Sequence, residues 1–476
     1  MIDGGATLAR RLDRYRSAIR ATTRDAAAPP TDDLAGRLAR AVDGEIVRTA
    51  EGVIVRLETP SRALPVDRAL LATLPGQPPP DVPLVCLDTE TTGLATAAGT
   101  LAWLIGLGWW EADRFRQVQL LLPDNGEERC LLAALEATIP GDGWLVTYNG
   151  RGFDWPLLVA RYRLARRAAP VHAGHLDLLP VVRRLFRHRM ADARLRTAEA
   201  ELLGLHRVGD VEGWEIPGRY LEFLRGGPAE SLVDIVRHND QDVRSLARLL
   251  MLIANEYATP EARRTVPIGD LGGLATAYAR EGRLDEALAC YDVAIACPAE
   301  PPPPTVPFET PRATGAIGEL PWWSPRVAAD FGGPRPTPIE AGRPIRSSTF
   351  ATSWTPDRIA FERAHLLRRL KRWDDAVDAW TGLAAGPGRN AIVAAIELAK
   401  IREHRLRDPL GALRVAADAL DMVERRRRRG RPEPRLEADL LARSRRLRRR
   451  LAARDGRPSA PTGGTLGSPA HAALQP

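Results

Sequence analysis

Pro83-Leu84-Val85-Cys86-Leu87-Asp88-Thr89-Glu90-Thr91-Thr92-Gly93-Leu94 carries four apolar residues straight into Asp88, with a second carboxylate, Glu90, two positions on. A short apolar run entered from a Pro-rich segment and left through Thr-Thr-Gly predicts a buried central strand. Side chains alternate along a strand, so Asp88 and Glu90 share one side of it, at its carboxyl end. Two carboxylates leaving a hydrophobic strand together repel each other and lose hydration. A divalent cation between them relieves both costs, and oxygen ligands suit Mg²⁺ or Mn²⁺.

The chain has 476 residues, too many for one ordinary core, so two or three domains are expected. Its net charge of +8 allows a polyanionic partner without requiring one. Lys371 and Lys400 are the only lysines among 68 basic residues. Neither is followed by Ser or Thr, which excludes a Walker-type phosphate loop. Cys86, Cys130, Cys290 and Cys297 form no C-x-x-C pair, which argues against a zinc or redox motif and for a reducing compartment. Met1-Ile2-Asp3-Gly4-Gly5 lacks the apolar core of a signal peptide. Thr91 to Trp110 is uncharged but holds four glycines and four threonines, so it reads as a loop and a buried strand rather than a membrane span. The expected location is cytoplasmic, without membrane contact.

Outward from the opening stretch, Leu84–Leu87, Leu101–Trp110 and Phe115–Leu122 read as three consecutive strands. Helix and strand patterns then alternate as far as a long helix over Ala229–Asn255, which indicates an α/β domain with a mixed sheet. Before it, Glu45–Glu58 alternates around Glu51-Gly52 as a hairpin does, with no readable role. After it, Leu271, Leu274, Ala275, Tyr278, Gly282, Ala287, Tyr291, Ala294 and Pro298 fall on tetratricopeptide spacing. Ala360 to Leu383 repeats much of that spacing, and Asn390 to Val423 gives a weaker third copy. The expected domains are an N-terminal helical and hairpin extension with a Pro-rich linker (1–80), the α/β domain (81–257), and helical repeats (265–455). The repeats carry a Pro-rich insertion at 298–356, and a low-complexity tail follows at 456–476, expected to be disordered.

Two further stretches join the carboxylate pair. In Tyr148-Asn149-Gly150-Arg151-Gly152-Phe153-Asp154-Trp155-Pro156, Asp154 opens a helix after a glycine-containing turn; it fits a metal ligand or an N-cap. In His238-Asn239-Asp240-Gln241-Asp242, His238 and Asp242 are four apart and share a helical face. Asp240 points elsewhere. Four carboxylates and an imidazole in the order D-x-E, D, H-x-x-x-D are what a two-metal phosphodiester hydrolysis site needs. A histidine near neutrality can take the proton of the attacking water.

Leu84 to about Asn255 resembles the DEDD exonucleases of the ribonuclease H-like superfamily, and among them the bacterial YprB-type subgroup that joins such a domain to helical repeats. The likeness rests on CLDTETTGL, YNGRGFDWP, the HLDLL of residues 175–179, and HNDQDV. It implies a ribonuclease H-like mixed sheet flanked by helices and a 3′→5′ exonuclease using two Mg²⁺ or Mn²⁺ ions. Asp88, Glu90, Asp154 and Asp242 would be the metal ligands and His238 a catalytic residue. His238 departs from the family pattern: it stands four residues before the last aspartate, where the tyrosine subgroup has its tyrosine, rather than five. Asp177 fits either support of a metal-bound water or a helix cap. Asn149 and Phe153 are expected at the substrate, with core packing the other reading for Phe153, and Thr91 and Thr92 are expected to offer backbone N–H groups. His175 reads as a packed histidine. The C-terminal arginines fit phosphates or a solvated capping helix equally, and the repeats fit a protein partner. The expected substrate is single-stranded DNA or RNA; the rival readings are a non-cutting nucleic-acid-binding repeat scaffold and a ribonuclease H-type endonuclease.

Overall fold

The computed structural model describes residues 31–93, 99–297 and 354–455. The expected helical segment before residue 31, nearly all of the insertion and the tail at 456–476 lie outside the described residues. The chain divides into two units, Met1–Thr355 and Pro356–Pro476.

The first unit opens with α1 (Thr31–Val42), the hairpin β1 (Glu45–Thr49) and β2 (Gly52–Ala63), and α2 (Arg68–Thr73). Then come β3 (Leu84–Thr91), β4 (Ala102–Glu111) and β5 (Arg114–Leu121), the three consecutive strands read from the sequence. The alternation follows: α3 (Glu128–Thr138), β6 (Trp144–Thr147), α4 (Asp154–Leu164), β7 (Gly174–Asp177) and α5 (Leu178–Phe186). After these come α6 (Leu195–Leu202), α7 (Ile216–Leu224), the long α8 (Val233–Tyr257), and the pair α9 (Ile268–Arg280) and α10 (Leu284–Ala296).

The strands form one seven-stranded sheet in the order β1-β2-β5-β4-β3-β6-β7. β1 to β3 pair antiparallel through β2, β5 and β4, while β3–β6 and β6–β7 are parallel, with α4 as the crossover between the last two. The hairpin assigned from the sequence to an extension outside the α/β domain therefore supplies two strands of its sheet. The reason is the register of β2 on β5, Val55 opposite Leu121 and Leu57 opposite Gln119, which ties segments more than sixty residues apart and leaves no local trace.

β3 lies in the middle, and its first four residues are fully buried. Trp103 of β4 stacks on Tyr220 of α7 with ring centroids 4.5 Å apart, at the heart of the apolar core. α8 packs across β3, β4 and β5. That approach depends on Gly106, which pairs with Asp88. A Cβ there would stand 2.2 Å from Asn239 Oδ1 and 2.8 Å from a Val243 methyl, so any other residue would push the helix away from the carboxylates.

The second unit is all helical: α11 (Pro356–Arg369), α12 (Trp373–Ala384), α13 (Gly388–His404), α14 (Pro409–Arg428) and α15 (Pro434–Asp455), each packed on the next. Small side chains such as Ala395, Ala416 and Ala419 line the contact with Ile392, Val423 and Leu440. The turns within the helix pairs share a device. Gly282, Lys371 and Arg407 each have positive φ, at 80°, 61° and 52°, which reverses the chain after the first helix of each pair. Among the described residues, no helix is long and apolar enough to cross a membrane.

Candidate active site

Asp88 and Glu90 sit at the carboxyl end of β3, the crevice side on which open α/β sheets carry their ligands. Three elements bring other groups to them. The β6–α4 turn delivers Asp154, α8 delivers His238, Asn239 and Asp242, and the loop between α6 and α7 delivers Arg207 and Asp210.

Asp154 is the first residue of α4 rather than its cap; Phe153 holds the cap position and makes no side-chain bond there. The freed carboxylate accepts 2.5 Å from Thr89 Oγ1, tying the helix start to β3. Asp88 Oδ2 accepts 2.8 Å from Asn239 Nδ2, and Asn239 Oδ1 accepts 2.9 Å from Gln119. Asn239 is fully buried and fixed at both ends.

The electrostatics follow from burial and proximity. Burial pushes the Asp88 carboxyl well above the usual range, and the charges of Asp242, Glu90 and Asp154 push it further, against a weaker pull from Asn239. Glu90 is raised well above its ordinary value by burial and then by Asp242, Asp154 and Asp210, with Arg207 opposing. Asp154 is raised by burial, which outweighs its hydrogen bond from Thr89. The four carboxylates thus feel one another's fields, and protonation or added positive charge would relieve them.

Part of that charge comes from a residue the sequence reading missed. Arg207 is buried and makes a two-toothed ion pair with the fully buried Glu199, both contacts at 2.6 Å. It also reaches Asp210 at 3.2 Å and bonds Asp242 directly. Glu199 takes a further bond of 2.5 Å from Ser245. Burial lowers the pKa of Arg207 but its carboxylate partners raise it further, so it stays charged.

Asp210 also determines how His238 is used. The imidazole Nδ1 lies 2.6 Å from Asp210 Oδ1. Asp210 accepts, so its contact pairs with an Nδ1–H, whereas Arg207 Nη1, 3.1 Å from the same nitrogen, can only donate; the shorter Asp210 contact favours the proton on Nδ1. In Asp210 burial acts upward and the bonds from His238 and Arg207 outweigh it. The other ring nitrogen, Nε2, lies 3.6 Å from Asp242 Oδ2 and 3.9 Å from Glu90 Oε1. A carboxylate that fixes the tautomer of a histidine facing the reacting groups is a recurrent arrangement for moving a proton.

The remaining expected residues divide. Phe153 is 51% exposed, so the core-packing reading does not hold. Asn149 occupies left-handed backbone, φ 69°, with its N–H given to Asp177 Oδ1 at 2.7 Å. Asp177 also accepts from Arg151 N at 3.2 Å and Leu179 N at 3.1 Å. Both its oxygens are occupied by main-chain donors, which favours the capping reading of this residue over support of a water. Thr92 gives its N–H to Leu101 O at 2.9 Å, so that donor is not open to a nucleotide; Thr91 turns its hydroxyl to Gly93 O at 2.6 Å. His175 is packed, with Nε2 2.8 Å from Thr147 Oγ1 and its pKa lowered to about 4, chiefly by burial. Asp240 faces Thr59 and Arg244 instead of the cluster.

Among the described residues no three His, Cys, Asp or Glu side chains stand together in ready metal-holding geometry. The donor set nevertheless suits a hard divalent cation: several anionic oxygens, buried, mutually repelling, and matched by only one arginine. Asp88, Glu90, Asp154 and Asp242 are the residues that would hold it.

Residues 85–254 match the RNase_H_2 family, described as RNase_H superfamily. The chain is also 39% identical over 168 residues to uncharacterized protein YprB of Bacillus subtilis (strain 168). That match covers 35% of this chain and 40% of the relative, so the chain spans well under half the length of the curated relative it matches. The first unit thus contains an RNase H superfamily domain.

Proposed function

We propose that the chain is a metal-dependent nuclease that hydrolyses phosphodiester bonds of single-stranded nucleic acid from the 3′ end. The observation that carries this reading is the convergence of Asp88, Glu90, Asp154 and Asp242, from three distant parts of the chain, beside a histidine whose tautomer Asp210 sets. Two Mg²⁺ or Mn²⁺ ions, when bound, would polarise the phosphoryl oxygens and neutralise charge on the attacking and leaving oxygens. The chain's own groups do the rest. His238 Nε2 takes a proton from the attacking water as its oxygen bonds to phosphorus and the P–O3′ bond breaks; the leaving O3′ takes a proton from solvent water and ends as an alcohol, and the protonated His238 returns its proton to the hydroxide so formed. Asn239 holds Asp88, Thr89 holds Asp154, and Arg207 holds Asp242. The exposed ring of Phe153, next to Asp154, offers a face for the terminal base to stack on. The helix pairs of residues 265–455 we read as tetratricopeptide-like repeats open to a protein partner, on the strength of their matching turns.

Shortening of a 5′-labelled oligonucleotide in Mn²⁺, lost in Asp88→Ala and Asp242→Ala, is the expected result; activity retained in both variants would refute the site. A substrate blocked at its 3′ hydroxyl separates stepwise removal from internal cutting. The Arg207–Asp242 contact favours one other reading, a domain that binds strands without cutting them. That reading predicts no Mn²⁺-stimulated cleavage and strand binding unchanged by the Asp88 and Asp242 substitutions.

A further inference from the structure

The chain's positive charge is gathered in its helical unit. Residues 356–455 hold 26 Arg and Lys against 15 Asp and Glu, a net +11, whereas the whole chain carries +8. Within that unit α11, α12, α13 and α15 enclose a cleft of about 490 Å³ lined by Arg368, Arg369, Trp373, Lys400, Arg405 and Arg443. This volume lies in the ordinary range for a ligand site.

Two carboxylates answer these cations, and each is already shared. Glu397 takes Arg368 and Lys400, both at 2.7 Å. Glu403 takes Arg443 and Arg446, both at 2.7 Å. Arg369 and Arg405 have no carboxylate partner among the described residues; Arg405 lies over the Trp373 ring, 5.1 Å from its centroid. Arg443 is buried, yet its Nε–H has no hydrogen-bond partner among the described residues. A buried donor left unpaired is costly, and it leaves the Arg443 guanidinium incompletely satisfied beside the cleft.

We propose that this cleft binds the sugar–phosphate backbone of single-stranded nucleic acid, with Trp373 as the platform for one base. Guanidinium groups match phosphate oxygens in pairs, and an indole beside them adds the stacking that a base offers and an acidic peptide lacks. The proposal rests on the reading that the chain acts on nucleic acid, but its test needs no cleavage.

The test is fluorescence anisotropy of a labelled dT20 strand titrated with the full-length chain in EDTA at several KCl concentrations. The variant is Arg369→Ala/Lys400→Ala/Arg405→Ala. It leaves Glu397 with Arg368 and Glu403 with Arg443 and Arg446, so an unchanged melting curve is expected. Each phosphate contact contributes about 0.7 to the salt slope for single strands, so losing three lowers the slope by about 2 and weakens binding roughly 100-fold at 0.1 M salt. Unchanged affinity and slope would overturn the proposal. So would displacement of the strand by polyglutamate as readily as by unlabelled dT20, which would make the cleft a site for acidic protein. Hydrolysis of thymidine 5′-(p-nitrophenyl phosphate), a substrate too small to span two sites, is measured alongside. Equal rates in parent and variant support the proposal, and a fall in step with binding overturns it as damage to the fold. Absence of hydrolysis in both would count against the nuclease reading alone, because strand binding in EDTA decides the cleft by itself.

Discussion

Arg207→Met removes the cation around which the inner wall of the carboxylate cluster is built. Met fills similar space and cannot pair, so the change isolates charge. The three carboxylates it abandons differ in what they can do next. Asp242 and Asp210 keep some access to water, with side chains 15% and 10% exposed, and can be rehydrated. Glu199 is fully buried and would keep the Ser245 hydroxyl bond and the more distant charge of Arg248. Removing one partner of a buried ion pair costs about 3–5 kcal/mol. For a domain of this size each kcal/mol lowers the melting temperature by about 2–4 °C, so a fall on the order of 10 °C is expected. The control is the cycle with Glu199→Gln. Gln keeps the shape without the charge, so the double variant should melt above Arg207→Met alone. Mn²⁺ should also recover more stability in Arg207→Met than in the parent, because the guanidinium no longer competes for Asp242. Differential scanning fluorimetry with and without Mn²⁺ measures all four combinations. A double variant destabilised by the plain sum of the two single effects would refute the account of Glu199 as the stranded charge.

Other outcomes follow from the same geometry. Asp88, Glu90 and Asp154 have pKa values raised in the fold; as pH rises past the ordinary carboxylate range the unfolded chain releases those protons first, so metal-free stability falls with rising pH until the folded groups ionise too. The buried histidines His175 and His188, lowered to about 4, act oppositely between about 4 and 6.5, so the diagnostic quantity is the difference between melts with and without Mn²⁺, which should widen from pH 5 to pH 8; a constant difference would count against metal at these carboxylates. Asp210→Asn replaces the charged acceptor that holds His238 by a neutral amide, which accepts more weakly and can also donate, and should lower kcat by about 10²-fold, the lower end of what acid–base groups contribute, with KM little changed. Rescue by Asp210→Glu, and not by Ala, would separate positioning from folding. Phe153→Ala should leave the melting temperature in place because the ring is half exposed, and should raise KM by roughly tenfold, about the worth of one stacked base; a lowered melting temperature with unchanged KM would return Phe153 to a packing role.

The parts of this site that were legible in the sequence are those whose signal is local. An apolar run entering Asp88 and Glu90 is a strand with two like-facing acids whatever surrounds it, and the four-residue spacing from His238 to Asp242 is one helical face. Asp177 was ambiguous because a carboxylate at a strand end looks the same whether it meets a cation or three main-chain donors; only the fold of the Asn149–Arg151 turn decides between them. The hairpin was readable as a hairpin but not as part of the sheet, since its partner strand β5 is fixed by distant register. Arg207 was invisible for a different reason. It lies in an irregular loop of a chain crowded with arginine, and its partners Glu199, Asp210, His238 and Asp242 follow no common spacing. One trace of it does exist. Along α6, Ala198, Glu199 and Leu202 all turn to the interior, which puts a carboxylate on a helix's apolar face. A charge there cannot be hydrated and must find a counter-charge. Glu199 therefore called for a buried cation before any loop was placed, and the cycle with Arg207 measures whether it found one.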